Sequence, residues 1–369
     1  MRLHPEGEPP MKTLHVGLDD RSYDIHIAPG LLSQAGALCR AALPRAGRLA
    51  VVTDSHVGPL YGETIMSSLA GAGFQAELVT IPAGESSKCL SMLGRLYDSF
   101  TAQGLTRSDG VVALGGGVVG DLAGFAAATI LRGVDFVQIP TTLLAQVDSS
   151  VGGKVAIDLP AGKNLAGAFW QPRLVLMDPA CLRTLDDKTF SDGMAEVIKY
   201  GCIRDRAFFD FLCAHSSRAA VMEHIDSVLY TCCDIKRQVV VEDERDTGVR
   251  MILNFGHTVG HAFEKAGGYE TWTHGQAVAA GMVAAERLGA ALGVSDGDGF
   301  SELLEVLSAF GLPTHIDCDW SAIVEAVGLD KKGDGEAITM IFLSHMGRAL
   351  PMKMKKEDVL QNLAHVCGR

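Results

Sequence analysis

The pattern of apolar residues changes once along this chain, at Asp178-Pro179, and that change limits the fold more than any other feature. Before it, short β-branched runs alternate with helical periods. Strand-like runs stand at Thr13–Gly17, Tyr23–Ile27, Arg48–Thr53, Ala76–Ile81, Gly110–Leu114, Phe136–Ile139 and Leu174–Met177, with helical periods around 60–70 and 87–103 and a third that follows Gly115–Asp121 and runs to about Leu131. Strands alternating with helices imply a parallel, doubly wound α/β sheet. After Pro179 strand signals nearly vanish. Helical periods cover 187–203, 218–241, 250–266, 274–293, 300–310 and 355–365, and a short apolar run at Ile338–Phe342 is the main exception. The sequence predicts an α/β domain over residues 1–180 and a helical domain over 181–369.

The 369 residues, 47% hydrophobic and 21% charged, suffice for two cores. A net charge of −12 argues against a nucleic-acid partner, which would need a basic face. The most apolar stretches are interrupted by Gly-Gly-Gly and Asp121, or by Glu286 and Arg287, so neither is a membrane span. Nine cysteines, an odd number without C-x-x-C spacing, point to a reducing compartment such as the cytoplasm. Residues 1–11 are polar and contain prolines, and they read as a loose tail.

Three histidines, His257, His261 and His274, fall within 18 residues of a chain that has 12. His257 and His261 share a helix face. Catalytic zinc takes three protein ligands and leaves one position open. Two ligands from this stretch and a carboxylate from elsewhere would complete such a set. Thr258 after His257 excludes the H-E-x-x-H motif. Glu196 lies in D-G-M-A-E-V-I-K-Y-G among Ala195, Val197 and Ile198, with Lys199 three residues on. A carboxylate in apolar surroundings wants a partner, which a metal supplies. Isolated histidines of this kind also occur as hydrogen-bonded core residues, and a Glu–Lys pair also as a surface ion pair.

Gly115, Gly116 and Gly117 leave a strand and open a helix, where backbone N–H groups and the helix terminus favour a phosphate. The spacing is not G-x-G-x-x-G. Asp54 ends a strand where an acid can hydrogen-bond a ribose, or cap a helix. The polar segment Glu85, Ser86, Ser87, Lys88 could cap the next helix or touch a nucleotide. Between 135 and 170 polar groups crowd a Gly-rich frame: Thr141, Thr142, Asp148, Lys154, Lys163 and Asn164. Two lysines, each preceded by glycine, suit an anionic ligand. Lys236, Arg250 and Asn254 lead into the histidines, and Asp330-Lys331-Lys332-Gly333 forms a later basic turn.

Together G-G-G-V-V-G-D, I-P-T-T-L-L-A-Q-V-D-S-S-V-G-G-K, G-K-N, G-M-A-E-V-I-K-Y-G, N-F-G-H-T-V-G-H and H-G-Q-A-V-A-A-G-M resemble the 3-dehydroquinate synthase family, in order, from about Val51 to Lys332. The resemblance implies a Rossmann-like domain plus a helical domain, a cytoplasmic homodimer, and a place in the shikimate pathway to chorismate and the aromatic amino acids. It implies a divalent metal, Zn2+ or Co2+, on Glu196, His257 and His274, with His261 on the substrate side. It implies NAD along Asp54, Glu85, Ser86, Ser87, Lys88, Gly115, Gly116, Gly117, Val118, Val119, Gly120, Asp121, Thr141, Thr142, Lys154, Lys163, Cys181, Leu182, Arg183 and Thr184. The substrate, the phosphorylated sugar acid 3-deoxy-D-arabino-heptulosonate 7-phosphate, would meet Asp148, Lys154, Asn164, Lys199, Lys236, Arg250, Asn254, His261 and one of Lys331 and Lys332. Arg132 would reach the phosphate of a neighbouring subunit. Asp246 stands where the family commonly has Glu.

Two other enzymes fit the same features. A sugar-phosphate cyclase of the 2-deoxy-scyllo-inosose synthase type would use the same metal and NAD, although Lys236, Arg250 and His261 favour the dehydroquinate reading. A metal-dependent polyol dehydrogenase would need neither Arg132 nor the paired lysines. A catalytically dead metal- or NAD-binding protein would have little use for the full polar set.

Overall fold

The computed structural model describes residues 11–317, 321, 323–325 and 337–366. Residues 1–10 of the expected tail, and Lys331 and Lys332, lie outside the described residues. The chain divides into two compact units. The first runs to Leu185 and takes in Lys236–Val241; the second holds Asp186–Ile235 and the residues from Glu242 onward.

The first unit is built on β1 (Lys12–Val16), β2 (Tyr23–Ile27), β3 (Arg48–Asp54), β4 (Gln75–Ile81), β5 (Gly110–Gly115), β6 (Asp135–Pro140) and a last sheet strand, Leu174–Met177. These form a seven-stranded sheet in the order β1-β2-(174–177)-β6-β5-β3-β4. All neighbours pair in parallel except β1 with β2. The apolar runs explain this arrangement. β5 and Leu174–Met177 are buried at every position, as a strand covered on both faces must be. Alternate residues of β3 face opposite cores. Leu49 and Val51 pack with α1 (Leu31–Ala42) and α2 (Val57–Gly71). Ala50 and Val52 pack with α3 (Leu90–Ala102) and α4 (Gly117–Thr129).

The sequence reading assigns no strand or helix between Ile139 and Leu174, and here the structure adds elements. Two antiparallel strands, β7 (Lys154–Leu159) and β8 (Gly162–Phe169), form a hairpin. Counting onward, Leu174–Met177 is β9. Val155 and Ile157 of β7 join the core under α4, while Lys154 and Asn164 remain exposed. Ahead of the hairpin, Ala145–Ser149 forms a π-helical turn carrying Asp148. Such turns gather at functional positions.

The second unit contains α5 (Asp187–Arg204), α6 (Arg206–Ala214), α7 (Arg218–Glu223), most of α8 (Ile225–Glu242), α9 (His257–Ala266), α10 (His274–Ala291), α11 (Phe300–Ala309) and α12 (Lys356–Val366). The apolar run at 338–342 is one arm of an antiparallel hairpin, β10 (Ala337–His345) with β11 (Arg348–Lys355). Two expected helices are each divided. The period over 218–241 breaks at His224, and that over 250–266 splits into a 3-10 turn, Val249–Asn254, and α9. The cause of the second break is local. Gly256 takes a left-handed conformation, φ 78°, ahead of α9. A Cβ there would stand 2.8 Å from the Val278 carbonyl of α10. Glycine thus turns the chain and lets α9 settle onto α10, which is buried on nearly all sides. Among the described residues no helix is long and apolar enough to cross a membrane.

Candidate active site

In the first unit the polar groups collect where the sheet changes direction. From β3 the chain moves outward to β4, then returns past β3 to β5, so β3 and β5 are neighbours from which the chain departs in opposite directions. Ligands of open α/β sheets sit beyond the carboxyl ends of such strands. Asp54 ends β3 there, and Gly115 ends β5. Asp54 Oδ1 accepts the N–H groups of His56 and Val57, both at 2.8 Å, so it caps α2 as well as lying at the switch point. Gly116 precedes α4 and Gly117 is its first residue. A Cβ on Gly115 would lie 2.6 Å from the Val119 side chain, so the turn is also tight for packing reasons. Val119 and Gly120 are buried, whereas Val118 is partly exposed.

Lys88, 5% exposed, ties this region together. Its Nζ lies 2.6 Å from Asp121 Oδ2, 3.9 Å from Glu85 and 2.5 Å from Asn164 Oδ1. Burial lowers the Lys88 pKa, but the Asp121 and Glu85 charges outweigh it and hold the ammonium above its ordinary range. Burial raises the Asp121 carboxyl despite Lys88 beside it. Asn164 sits at φ 55° on the hairpin and donates its N–H to Asp158 Oδ1 at 2.8 Å. Lys236 donates to the Asp148 carbonyl at 2.5 Å and to its Oδ1 at 2.9 Å. Thr141 is buried, and Thr142 Oγ1 accepts the Ala145 N–H.

The remaining expected residues of this unit are less concentrated. Ser87 is buried and donates to the Pro82 carbonyl, while Ser86 is exposed. Lys163 is half-buried on the hairpin, and Lys154 is exposed at its start. The side chains of Cys181 and Leu182 are buried, so only their backbone can serve a ligand. Arg183 and Thr184 are exposed, Thr184 bonding Tyr61 at 2.7 Å. Arg132 is exposed in a strained turn, with Leu131 at φ 52° and Arg132 at φ 70°.

In the second unit α5, α9 and α10 converge on one point. Glu196 on α5 is fully buried. Its Oε1 lies 3.4 Å from His257 Nε2 and 3.5 Å from His274 Nε2. The Lys199 ammonium, 1% exposed, contacts Glu196 Oε2. The ligating atoms of Glu196, His257 and His274 all lie within 4.8 Å of one another, and so do those of His261, Glu264 and His274. His257 Nδ1 is 3.2 Å from the Phe255 carbonyl, which can only accept, so that nitrogen carries the proton and Nε2 is the ligating atom. Burial and the Lys199 charge hold His257 well below the usual imidazole range. Burial alone would lower His274 too, but the carboxylates of Glu196 and Glu264 beside it push it up to about 10. The cluster thus attracts positive charge. Nearby, Arg250 is 2% exposed, receives support from the Asp243 carboxylate at its N–H, and donates Nη1 to the Glu244 carbonyl at 2.6 Å. Asn254 is half-buried at the end of the 3-10 turn, and Asp246 adopts φ 60°.

Two residues of this cluster were not singled out from the sequence. Glu264 shares the face of His257 and His261 at the i+7 position, a spacing that could have flagged it. Asp192 accepts the Gly275 N–H at 2.6 Å. A Cβ on Gly275 would stand 2.1 Å from the Asp192 carbonyl, so this contact pins the start of α10, and with it His274, to the helix that carries Glu196.

The sequence matches the models of the 3-dehydroquinate synthase N-terminal domain over residues 78–192 and C-terminal domain over 193–333. It is 45% identical to 3-dehydroquinate synthase of Clostridium beijerinckii over 348 residues, 94% of this chain and 99% of that one. It is 47% identical to the enzyme of that name from Pelobacter propionicus over 356 residues, 95% of this chain and 98% of that one. Among solved structures it is similar to 2-deoxy-scyllo-inosose synthase complexed with carbaglucose-6-phosphate, NAD+ and Co2+, with a TM-score of 0.86 at 25% identity over 96% of this chain and 100% of that one. It is also similar to a 2-epi-5-epi-valiolone synthase from Streptomyces hygroscopicus with NAD+ and Zn2+ bound, with a TM-score of 0.84 at 28% identity over 96% of this chain and 99% of that one. The chain belongs to the 3-dehydroquinate synthase family.

Proposed function

We infer that this chain converts 3-deoxy-D-arabino-heptulosonate 7-phosphate to 3-dehydroquinate and phosphate, using NAD catalytically and a divalent metal. The observation that carries the metal part is the geometry of Glu196, His257 and His274. Donors at zinc-ligand distance from a tetrahedral ion stand about 3.4 Å apart, and the separations here from Glu196 Oε1 are 3.4 and 3.5 Å. One carboxylate and two imidazoles leave a position for substrate. The donor set therefore fits Zn2+ or Co2+, with His261 outside it. The switch-point features of the first unit support NAD along Asp54, Glu85–Lys88, Gly115–Asp121, Thr141–Thr142, Lys154, Lys163 and 181–184.

When bound, the metal supplies Lewis acidity to a substrate hydroxyl and NAD supplies a reversible acceptor for hydride. The chain's own residues do the rest. Lys154 and Asn164 hold phosphate, Asp148 orients Lys236 toward an anionic group, and Arg250 and Asn254 meet the substrate. Lys199 and His261 stand beside the ligands, and His261, half exposed, can move a proton at the substrate. Asp246, at φ 60°, takes a conformation that short polar residues tolerate best, which suits Asp where the family commonly has Glu. The enzyme works in the cytoplasm as a homodimer in which Arg132 of one subunit reaches the phosphate bound by the other.

A turnover assay at substoichiometric NAD+ tests the reaction class. A synthase that oxidises and re-reduces the same carbon should release many phosphates per NAD+ without lasting NADH absorbance, and chelation should stop it. NADH accumulating in step with product would instead favour a polyol dehydrogenase. For the dimer, mixing an Arg132→Ala chain with one inactivated at Lys154 should restore part of the activity. Heterodimers that form yet show none would exclude a shared site.

A further inference from the structure

His274 is the first residue of α10 and lies between two carboxylates. Its Nε2 faces Glu196, and its Nδ1 lies 3.6 Å from Glu264 Oε1. The other oxygen of Glu264 is 4.0 Å from His261 Nε2. Glu264 is 3% exposed, next to the buried apolar side chains of Ala262 and Phe263. A carboxylate in such surroundings is costly unless it is paired or hydrogen-bonded. Its position follows from the sequence. Residues 257, 261 and 264 fall on one face of α9, and Gly256 lets the chain pass close to Val278 and Met282 of α10, one and two turns beyond His274.

The two ligand histidines therefore need different supports. A backbone carbonyl, that of Phe255, fixes the His257 tautomer. His274 has Glu264 at its second nitrogen. At 3.6 Å this is an ion-pair contact, and a shift of about half an ångström would bring it to hydrogen-bond length. We propose that Glu264 is a positioning residue for the metal centre: its buried carboxylate accepts the Nδ1–H of His274, leaving the Nε2 lone pair for the cation, and its second oxygen tethers His261 beside it. The proposal rests on the metal reading of Glu196, His257 and His274. It assigns Glu264 no contact with substrate or metal. Metal-ligating histidines usually donate their second N–H to a carboxylate or carbonyl, and loss of that partner typically weakens metal binding about 10- to 100-fold.

The test is metal affinity of the full-length protein, by competition with a chromophoric chelator for Zn2+ and Co2+, together with the visible spectrum of the Co2+ form. Glu264→Gln should bind metal about 10- to 100-fold more weakly and shift the Co2+ bands, while NAD+ affinity stays unchanged. Glu264→Asp should recover part of the metal affinity. Unchanged metal affinity and Co2+ spectrum in a folded Glu264→Gln protein would overturn the proposal. Should that variant not fold, nitrogen-15 spectra of the histidines in the unaltered Zn2+ protein decide. Nε2 coordination with Nδ1 protonated on His274 supports the assignment, and coordination through Nδ1 excludes it. If the unaltered protein binds neither metal, the metal reading fails and takes this role of Glu264 with it. If it binds metal with His274 through Nε2 and Glu264→Gln binds equally well, only the role of Glu264 fails.

Discussion

The two polar clusters of this protein balance their charge in different ways. Around Lys88 the cations and anions belong to the protein itself: Lys88 pairs with Asp121 and Glu85, and Lys236 with Asp148. Around His274 two buried carboxylates, Glu196 and Glu264, face three imidazoles, and the Lys199 ammonium contacts Glu196. In the first arrangement each of these carboxylates lies within 4 Å of a lysine ammonium. On the proposed reading the second holds the metal, and its occupancy should dominate activity. A site can thus be dense in charge and still differ in what it needs from a ligand.

The sharpest break of this comparison is at the proposed metal ligands. His274→Ala should lose bound metal and about three or more orders of magnitude in turnover, since a metal's Lewis acidity accounts for several kcal/mol of the barrier. His261→Ala should keep its metal and lose turnover by about 100-fold through proton handling alone. Metal content measured beside phosphate release separates the two. Metal loss in His261→Ala as complete as in His274→Ala would move His261 into the ligand set.

Much of this architecture is legible in the sequence, for identifiable reasons. Strand β5 and the strand Leu174–Met177 are short, apolar and closed by turn residues, so their burial on both faces shows in the text. The β7–β8 hairpin does not show, because Gly162, Gly167, Lys163 and Asn164 interrupt the alternation, and Asn164 sits at φ 55°. Nor does local periodicity announce that Lys236–Val241 belongs with the first unit. The spacing singles out the three histidines, but the shared face of His257 and His261 suggests that pair as ligands; only the family resemblance implies His274 in place of His261. Glu264 reads as an ordinary helix-surface charge one turn before Gly267-Gly268; its burial exists only because α10 lies against that face.

A smaller effect should follow from breaking the Lys88 cluster. Lys88 and Asp121 are 6% and 17% exposed at their side chains and 2.6 Å apart. Removing one member of a buried pair leaves an uncompensated charge, a cost of about 3–5 kcal/mol, whereas replacing both with apolar residues is often near neutral. Lys88→Met should therefore lower stability by about 3 kcal/mol. The double variant Lys88→Met/Asp121→Leu should recover most of the loss, as read by urea unfolding. Equal losses in both variants would show that Asp121 draws its compensation from a group other than Lys88.

The smallest effect concerns a third buried carboxylate, Glu286, which lies on the same helix as His274. It is 3% exposed, and its Oε1 accepts only long bonds, from Leu343 N–H and Ser295 Oγ, each at 3.4 Å. Burial raises its pKa to about 7, although those two donors pull it down. Where Glu196 is answered by a cation, Glu286 is answered by a proton. The ordinary value is 4.5, so between there and about 7 the folded chain binds a proton that the unfolded chain has released. Its contribution to stability is complete below the lower value and is lost as pH rises through the upper one. The full shift corresponds to about 3 kcal/mol, and relaxation around the ionised group should reduce it. Glu286→Gln is neutral at every pH. It should match the unaltered protein near the lower value and exceed it by about 2 kcal/mol near pH 8, where the native carboxylate is charged. Unfolding curves of the two proteins at both pH values, with metal present throughout, read this difference. A stability gap that does not widen with pH would mean that Glu286 is already ionised in the folded chain and is balanced as Glu196 is.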